Sequence, residues 1–258
     1  MLSNMKREKK QVKDNVVQYT TEDSRFYIVT DKKGKETIFP SVTFILKSLP
    51  LGDQLLRWYC DMGYDHAKEY MEERAIMGSA IHSACEQLML AKSNGEPLTL
   101  RYDYIYEGRE ISAREWKAIL SFAQWWKDIT AGSTEVKVLA VEQNYFDTKL
   151  KCAGTVDLVI MIDGVVHVID LKSSSMIYPS HEVQISVYAK MVADNLKIPL
   201  KEIKRDILLL GYNKNKKGYF AKEVEDQLHV FKSVKVIHDH YHGEETIDII
   251  ELPTEVSL

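Results

Sequence analysis

The run GTVDLVIMIDGVVHVIDLKSSS, residues 154–175, sets three aspartates and a lysine into an otherwise largely apolar stretch. Charges inside a buried hairpin cost free energy unless something compensates them. Asp163-Gly164 between two apolar runs is a strong hairpin signal. With those residues as a two-residue loop, Ile162 faces Val165 and Asp157 faces Asp170. Directly opposed side chains have Cβ atoms about 4.5–5.5 Å apart. Lys172 lies two residues beyond Asp170 and shares its face. Opposed carboxylates in an apolar sheet persist if they share a proton or bind a cation. A hard, oxygen-ligated divalent ion such as Mg²⁺ suits such a pair, with backbone carbonyls completing the shell. A simpler arrangement competes with this one: Asp157 ends its strand in solvent and Asp170 pairs with Lys172.

The neighbouring elements must hold this hairpin. Residues 24–39 read as a hairpin around DKKGKE, followed by a helix start with Ser41 or Thr43 as cap. Apolar spacing predicts helix from about 53 to 93, a loop over 94–111 and a tryptophan-rich helix over about 112–130. Strands are expected at about 136–146, 154–162 and 165–172. A helix follows from Pro179-Ser180 to about Asn195, with Ser180 as its N-cap. Strands at about 204–212 and 218–224 flank NKNKKG, and a last helix covers about 225–241. The fold class is α/β (α+β), a mostly antiparallel mixed sheet flanked by helices with a helical region before it.

The 258 residues, 45% hydrophobic and 28% charged, suit a globular chain. No apolar run reaches the ~18–20 residues of a membrane helix, so no membrane partner is expected. Residues 1–20 read as a flexible basic arm; MLSNMKREKKQVK lacks the apolar stretch of a secretory signal. Cys60, Cys85 and Cys152 are widely spaced, which points to a reducing compartment and away from an iron–sulfur cluster. The expected location is the cytoplasm, with the mitochondrial matrix as the alternative. Net charge is −4, yet residues 197–235 carry ten Lys and Arg against five Asp and Glu. A basic region on an acidic chain suits local contact with phosphate. Lys214, Lys216 and Lys217 in NKNKKG are the candidates, against the plainer reading of a solvated turn. His238, His240 and His242 resemble a metal-binding run but sit near a helix end beside acids.

GTVD (154–157) followed by VIDLKSS (168–174) resembles the PD-(D/E)XK nuclease superfamily in its RecB-like branch, where Gly-x-x-Asp replaces Pro-Asp. EVQISVYAKM is similar to the Q-x-x-x-Y helix motif, matched by Gln184 and Tyr188. MGSAIHSACE is similar to the G-x-x-x-H motif, matched by Gly78 and His82. VEQNYFD resembles the strand that carries a glutamate, here Glu142, and PSVTFIL resembles the entry segment of phage-type members. The likeness spans roughly residues 38–220 and is nearest to the mitochondrial genome-maintenance and phage-type exonucleases.

The resemblance implies a restriction-endonuclease-like core in a single nuclease domain over 21–258. Its helical part covers about 41–130 and its nuclease core about 135–240. It implies one or two Mg²⁺ or Mn²⁺ ions held by His82, Asp157, Asp170, the Leu171 carbonyl and Glu142. Lys172 would act on the attacking water or the phosphate, and Gln184 and Tyr188 would contact phosphate or position the lysine. Ser41 and Thr43 join the three loop lysines as DNA contacts. The implied function is a metal-dependent DNA exonuclease acting at free, single-stranded or duplex ends in recombination, repair or replication. A recombination, replication or single-strand-binding protein would be its partner. An endonuclease of the same fold and a non-catalytic DNA-binding scaffold are the competing functions.

Overall fold

The hairpin turned by Asp163 and Gly164 lies at the centre of the computed structural model, which describes residues 8–21 and 24–242. Both turn residues have positive φ, 47° and 86°, as a two-residue hairpin turn requires. Asp163 does more than turn the chain: its Oδ1 accepts hydrogen bonds from the backbone N–H groups of Thr134 and Glu135, each at 2.8 Å.

The chain begins with strands β1 (Glu8–Lys13), β2 (Val16–Thr20), β3 (Arg25–Thr30) and β4 (Glu36–Pro40), which form an antiparallel sheet in that order. Helices α1 (Val42–Leu46), α2 (Asp53–Met62) and α3 (Tyr64–Asn94) follow. A small ribbon, β5 (Ile105–Tyr106) and β6 (Arg109–Glu110), precedes α4 (Ala113–Ala131). Then come β7 (Val136–Asp147), β8 (Cys152–Ile162), β9 (Val165–Lys172), α5 (Pro179–Leu196), β10 (Ile203–Leu210), β11 (Tyr219–Glu223) and α6 (Leu228–His242). The main sheet runs β11-β10-β9-β8-β7, with β9 and β10 parallel and the other pairs antiparallel.

One face of this sheet packs on α1, α5 and α6 through residues such as Val42, Ile185, Val187 and Phe231. The other packs on α3 and α4 through Ile81, Cys85, Phe122 and Trp125. Coverage on both faces explains why β8 and β9 are nearly continuous apolar runs. The smaller sheet lays Val16, Tyr27 and Phe39 against Ala153 and Phe146 of β7–β8.

Three expectations need correction. Residues 8–20, expected within a flexible arm, form β1 and β2; residues 1–7 of that arm lie outside the described residues. The reason is the turn at Asp14-Asn15 and the burial of Val16, which the high charge of the segment masks in sequence. The N-cap of α5 is Tyr178, not Ser180, because Pro179 occupies the first turn and fixes the start one residue earlier. The helical stretch expected over 53–93 is two helices, parted at Gly63, whose φ of 77° is unfavourable for other residues. The expected cap at Ser41 is present, accepting from Phe44 N at 3.0 Å; the sequence reading did not foresee the capping box that Ser112 and Glu115 form on α4 or the β5–β6 ribbon within the expected loop. Among the described residues no helix is long and apolar enough to cross a membrane.

His238 is buried on α6, with its ring edge-on to Phe44 at 4.8 Å and its Nδ1 3.2 Å from Ser48 Oγ. Burial, reinforced by the neighbouring His242, pushes it down to about 4. A histidine that is neutral when folded but titrates near 6.5 when unfolded stabilises the fold fully above the unfolded value. That contribution declines as pH falls from about 6.5 toward 4. Between pH 7 and 5 the wild-type chain should therefore lose about 1–2 kcal/mol more stability than a His238→Leu variant, read by urea unfolding at both pH values. A second prediction concerns Gly154. A Cβ there would lie 2.5 Å from the buried Tyr188 ring. Gly154→Ala should cost about 1–3 kcal/mol, and much less in a Tyr188→Leu background, as a double-mutant unfolding cycle would show.

Candidate active site

The strands that carry the acids part company where the acids lie. From Ile162↔Val165 to Leu158↔Ile169, β8 and β9 pair in the register expected from the two-residue turn. Asp157 and Asp170 occupy the next position, where the ladder stops. In place of a ladder bond, the Leu171 N–H donates to Asp157 Oδ2 at 2.7 Å. Further along β8, Ser41 bridges Ala153.

The β7–β8 ladder breaks at the same place. Val141↔Leu158 and Gln143↔Val156 are paired, but Glu142 and Asp157 between them are not. Glu142 has φ of 44°, a left-handed backbone costing about 1–2 kcal/mol for a residue with a side chain. Side-chain alternation slips there too. Cys152 and Val156 pack toward α5 before the break, as does Val159 beyond it, while Leu158 and Ile160 turn to α3 and α4. The slip releases both carboxylates from the sheet's two cores.

Helix α3 brings His82 to this break. Gly78, one turn earlier, permits the approach: a Cβ there would already sit 3.2 Å from Ser173 Oγ beyond β9. His82 Nδ1 lies 3.5 Å from Asp157 Oδ1 and 3.9 Å from Glu142 Oε1. One ligand atom from each of the three residues falls within 4.8 Å of the others. Asp170 stands apart from this group, almost fully buried, with Lys172 Nζ 2.7 Å from its Oδ2. The contact is an ion pair without hydrogen-bond direction. Asp170 Oδ2 is a buried side-chain oxygen that, among the described residues, has no hydrogen-bond partner.

The electrostatics follow from crowding. Burial pushes His82 down, but Asp157 and Glu142 outweigh it and raise the imidazole to about 10, so it is a cation at neutral pH. Burial drives Asp157 up, yet His82, Lys172 and the Leu171 N–H hold it below the usual carboxylate range. Glu142 is raised, chiefly by burial with Asp157 adding. Asp170 is raised to about 6 by burial, opposed by Lys172 and assisted by Asp157. Lys172 is raised because Asp170 and Asp157 overcome its burial.

These residues fit a divalent metal. The donors are one imidazole and carboxylates, and a buried carboxylate oxygen is left without a hydrogen bond. Within the chain, His82 and Lys172 compensate the carboxylates.

The other expected residues separate. Gln184 and Tyr188 are buried on α5; Gln184 Nε2 donates to the Tyr188 hydroxyl at 3.0 Å, and Gly154 admits the ring against β8. Ser41 is buried and serves as the cap of α1, bonded to Phe44 N and Thr43 Oγ1, so its hydroxyl is not presented to a ligand; Thr43 is exposed. Lys214, Lys216 and Lys217 are exposed on the loop after β10. Leu209 of β10 pairs with Lys172, so this loop leaves the sheet at the end where β9 carries the site. It is anchored to α4: Gly211 N donates to Ser121 Oγ at 3.0 Å, and Lys217 and Tyr219 bond Asp128. Sequence reasoning passed over His181, whose imidazole burial and the Lys172 charge push down to about 3. A His one turn before Gln184 was its only signal.

A profile of the PD-(D/E)XK nuclease superfamily matches residues 55–247, which include His82, Glu142, Asp157, Asp170, Lys172, Gln184 and Tyr188. A search of curated proteins found no match.

If the His82 cluster takes the metal, binding must displace the imidazole's proton. Calorimetric titration of Mn²⁺ at pH 7 in buffers of different ionisation enthalpy should show about one proton released. His82→Gln should abolish that release, and Asp157→Asn should weaken binding at least about 10-fold.

Proposed function

The chain belongs to the PD-(D/E)XK nuclease superfamily, and from that premise we propose that it is a Mg²⁺- or Mn²⁺-dependent DNA exonuclease whose site is the break in β7–β8. The observation that carries this reading is the meeting of His82, Glu142 and Asp157 within 4.8 Å, beside the Asp170–Lys172 pair. His82, Glu142, Asp157 and Asp170 would hold the metal, with the Leu171 carbonyl available on the same strand. When bound, such an ion lowers the pKa of water and neutralises charge developing on the phosphate.

The chain's own residues define the rest. Lys172 is held as a cation, so it donates charge to the phosphate or hydrogen bonds to the attacking water. Asp170 positions that ammonium by direct contact. Tyr188, locked by Gln184 and by the lack of a side chain at Gly154, keeps α5 at a fixed distance from β8 and so supports the strand that bears Asp157. Lys214 and Lys216, for which no ion-pair partner is found among the described residues, extend from a braced loop at the same end of the sheet and suit backbone phosphates. A braced loop pays little ordering entropy when it binds.

Preference for free ends, and for a single strand, rests on the likeness of Glu142 through Tyr188 to RecB-like exonucleases. Digestion of end-labelled oligonucleotides and of linear and circular DNA, with and without Mg²⁺, tests it. Linear DNA should be degraded only with metal, and circular DNA should survive; cut circles would make the enzyme an endonuclease. Asp157→Asn and Lys172→Met should each lower the rate at least about 100-fold. Lys172→Met also leaves Asp170 buried without its cation and should cost about 3 kcal/mol of stability, so unfolding is measured alongside. A Lys172→Met protein that is folded and fully active would refute this site.

A further inference from the structure

The smaller sheet lies outside the residues matched by the family, yet it borders the site. Tyr27 is 1% exposed, and its hydroxyl lies 3.0 Å from Thr155 Oγ1, which in turn donates to Asn144 Oδ1 at 3.0 Å. Thr155 is two residues before Asp157, and Asn144 is two residues after Glu142. The β2–β3–β4 surface therefore grips both strands one step from the break. Burial raises the Tyr27 hydroxyl, its hydrogen bond to Thr155 and the charge and hydrogen bond of Arg25 act against that rise, and the Glu142 charge adds to it.

The direction of β3 decides which residue approaches the acids. Ser41, directly after β4, bridges Ala153 in parallel, so the chain there runs along β8 toward Asp157. β3 is antiparallel to β4, and Ser41 N donates to Arg25 O at 2.8 Å. Stepping back from Tyr27 to Arg25 thus moves in the same sense as stepping from Thr155 to Asp157. Side chains two apart on a strand share a face, so Arg25 follows Tyr27 toward the break. The residues of this face divide accordingly. Val16, Val29, Phe39 and Tyr27 pack on β7–β8, while Arg25 is exposed at the other end. Among the described residues no carboxylate pairs with it.

The site has a need that Arg25 meets. Glu142, Asp157 and Asp170 concentrate negative charge, and the nearby cations are committed, His82 to Asp157 and Lys172 to Asp170. A substrate phosphate entering beside them requires a further cation that no carboxylate neutralises; Arg25 bonds only the neutral Tyr27 hydroxyl among the described residues, and a guanidinium grips phosphate by a two-pronged contact that lysine cannot copy. We propose that Arg25, carried to the rim of the β7–β8 break by the smaller sheet, binds a backbone phosphate of the nucleic-acid substrate. The proposal rests on the nuclease reading above.

The test compares wild type with Arg25→Gln, Arg25→Lys and Arg25→Glu in the full chain. Binding of a fluorescent single-stranded oligonucleotide is followed by anisotropy with Ca²⁺ in place of Mg²⁺, over a series of salt concentrations. Cleavage of the same oligonucleotide is measured with Mg²⁺. Arg25→Gln should raise Kd and KM about 10-fold, leave kcat within about 2-fold and reduce the salt dependence by about one phosphate contact. Arg25→Lys should recover part of the affinity, and Arg25→Glu should bind less well than Arg25→Gln. Melting temperatures report whether each variant folds; should Arg25→Gln not fold, Arg25→Lys carries the test through its own loss of affinity. A wild type that cuts while Arg25→Gln binds with unchanged Kd and salt slope would overturn the proposal and leave the nuclease reading standing. A wild type that neither binds nor cuts with Mg²⁺ or Mn²⁺ would remove the nuclease reading first.

Discussion

Three carboxylates gathered at one break in the sheet, Asp170 buried and Glu142 and Asp157 partly so, dominate this structure. Bringing Glu142, Asp157 and Asp170 together costs both desolvation and mutual repulsion, and no apolar packing repays that. The chain answers with an imidazolium, an ammonium and a backbone N–H, supplied by His82, Lys172 and Leu171. The answer is incomplete, as Asp170 stays raised and one of its oxygens has no hydrogen bond. A region left short of positive charge in the folded state is poised to take a cation, and the same shortage would then serve a substrate that carries negative phosphates.

The surroundings read as means to reach and hold that arrangement. Neither carboxylate could leave the sheet's cores while β7 and β8 alternated regularly. The break in their ladder, with the strained backbone of Glu142, turns Glu142 and Asp157 toward α3. Such strain persists only where packing over-determines the backbone. Here the constraint comes from both sides: Tyr188 packs over Gly154 from α5, and Tyr27 bonds Thr155 from the smaller sheet. Gly78 brings α3 close, and the loop after β10 is braced on α4. Rigidity at the break limits the reorganisation that a site of converging charges would otherwise undergo.

Legibility differed from element to element for physical reasons. The β8–β9 register was readable because Asp163-Gly164 fixes a two-residue turn, and turn length sets the register of a hairpin. Helix α4 was readable from its apolar spacing and its tryptophans, a pattern carried by near neighbours in the chain. Strands β1 and β2 were not, since they are rich in charge and their few apolar residues join a core completed by Phe146 and Ala153, more than a hundred residues away. Arithmetic on the hairpin placed Asp157 opposite Asp170. The structure instead ends the ladder there, keeps Asp170 with Lys172 and gives Asp157 to His82 and Glu142. Of the simpler arrangement weighed in sequence, the Asp170–Lys172 pair is present, but Asp157 lies inside β8 beside His82 and does not end its strand in solvent. Ser41 shows the opposite limit: its capping role was local and visible, while a role as substrate contact ignored the burial that capping brings.

By itself, the sequence determined which charges lie in the central hairpin, the turn that brings them near, and the spacing of motifs that resembles a nuclease family. These depend on neighbours along the chain and on period-two alternation, which any short window contains. Only the tertiary structure decided which carboxylates share a cation. That choice depends on where two ladders stop, on a left-handed residue at Glu142, and on a helix and a second sheet that approach from distant parts of the chain. Long-range packing sets those distances, and at a few ångströms in a buried site a small change of distance determines which charges pair.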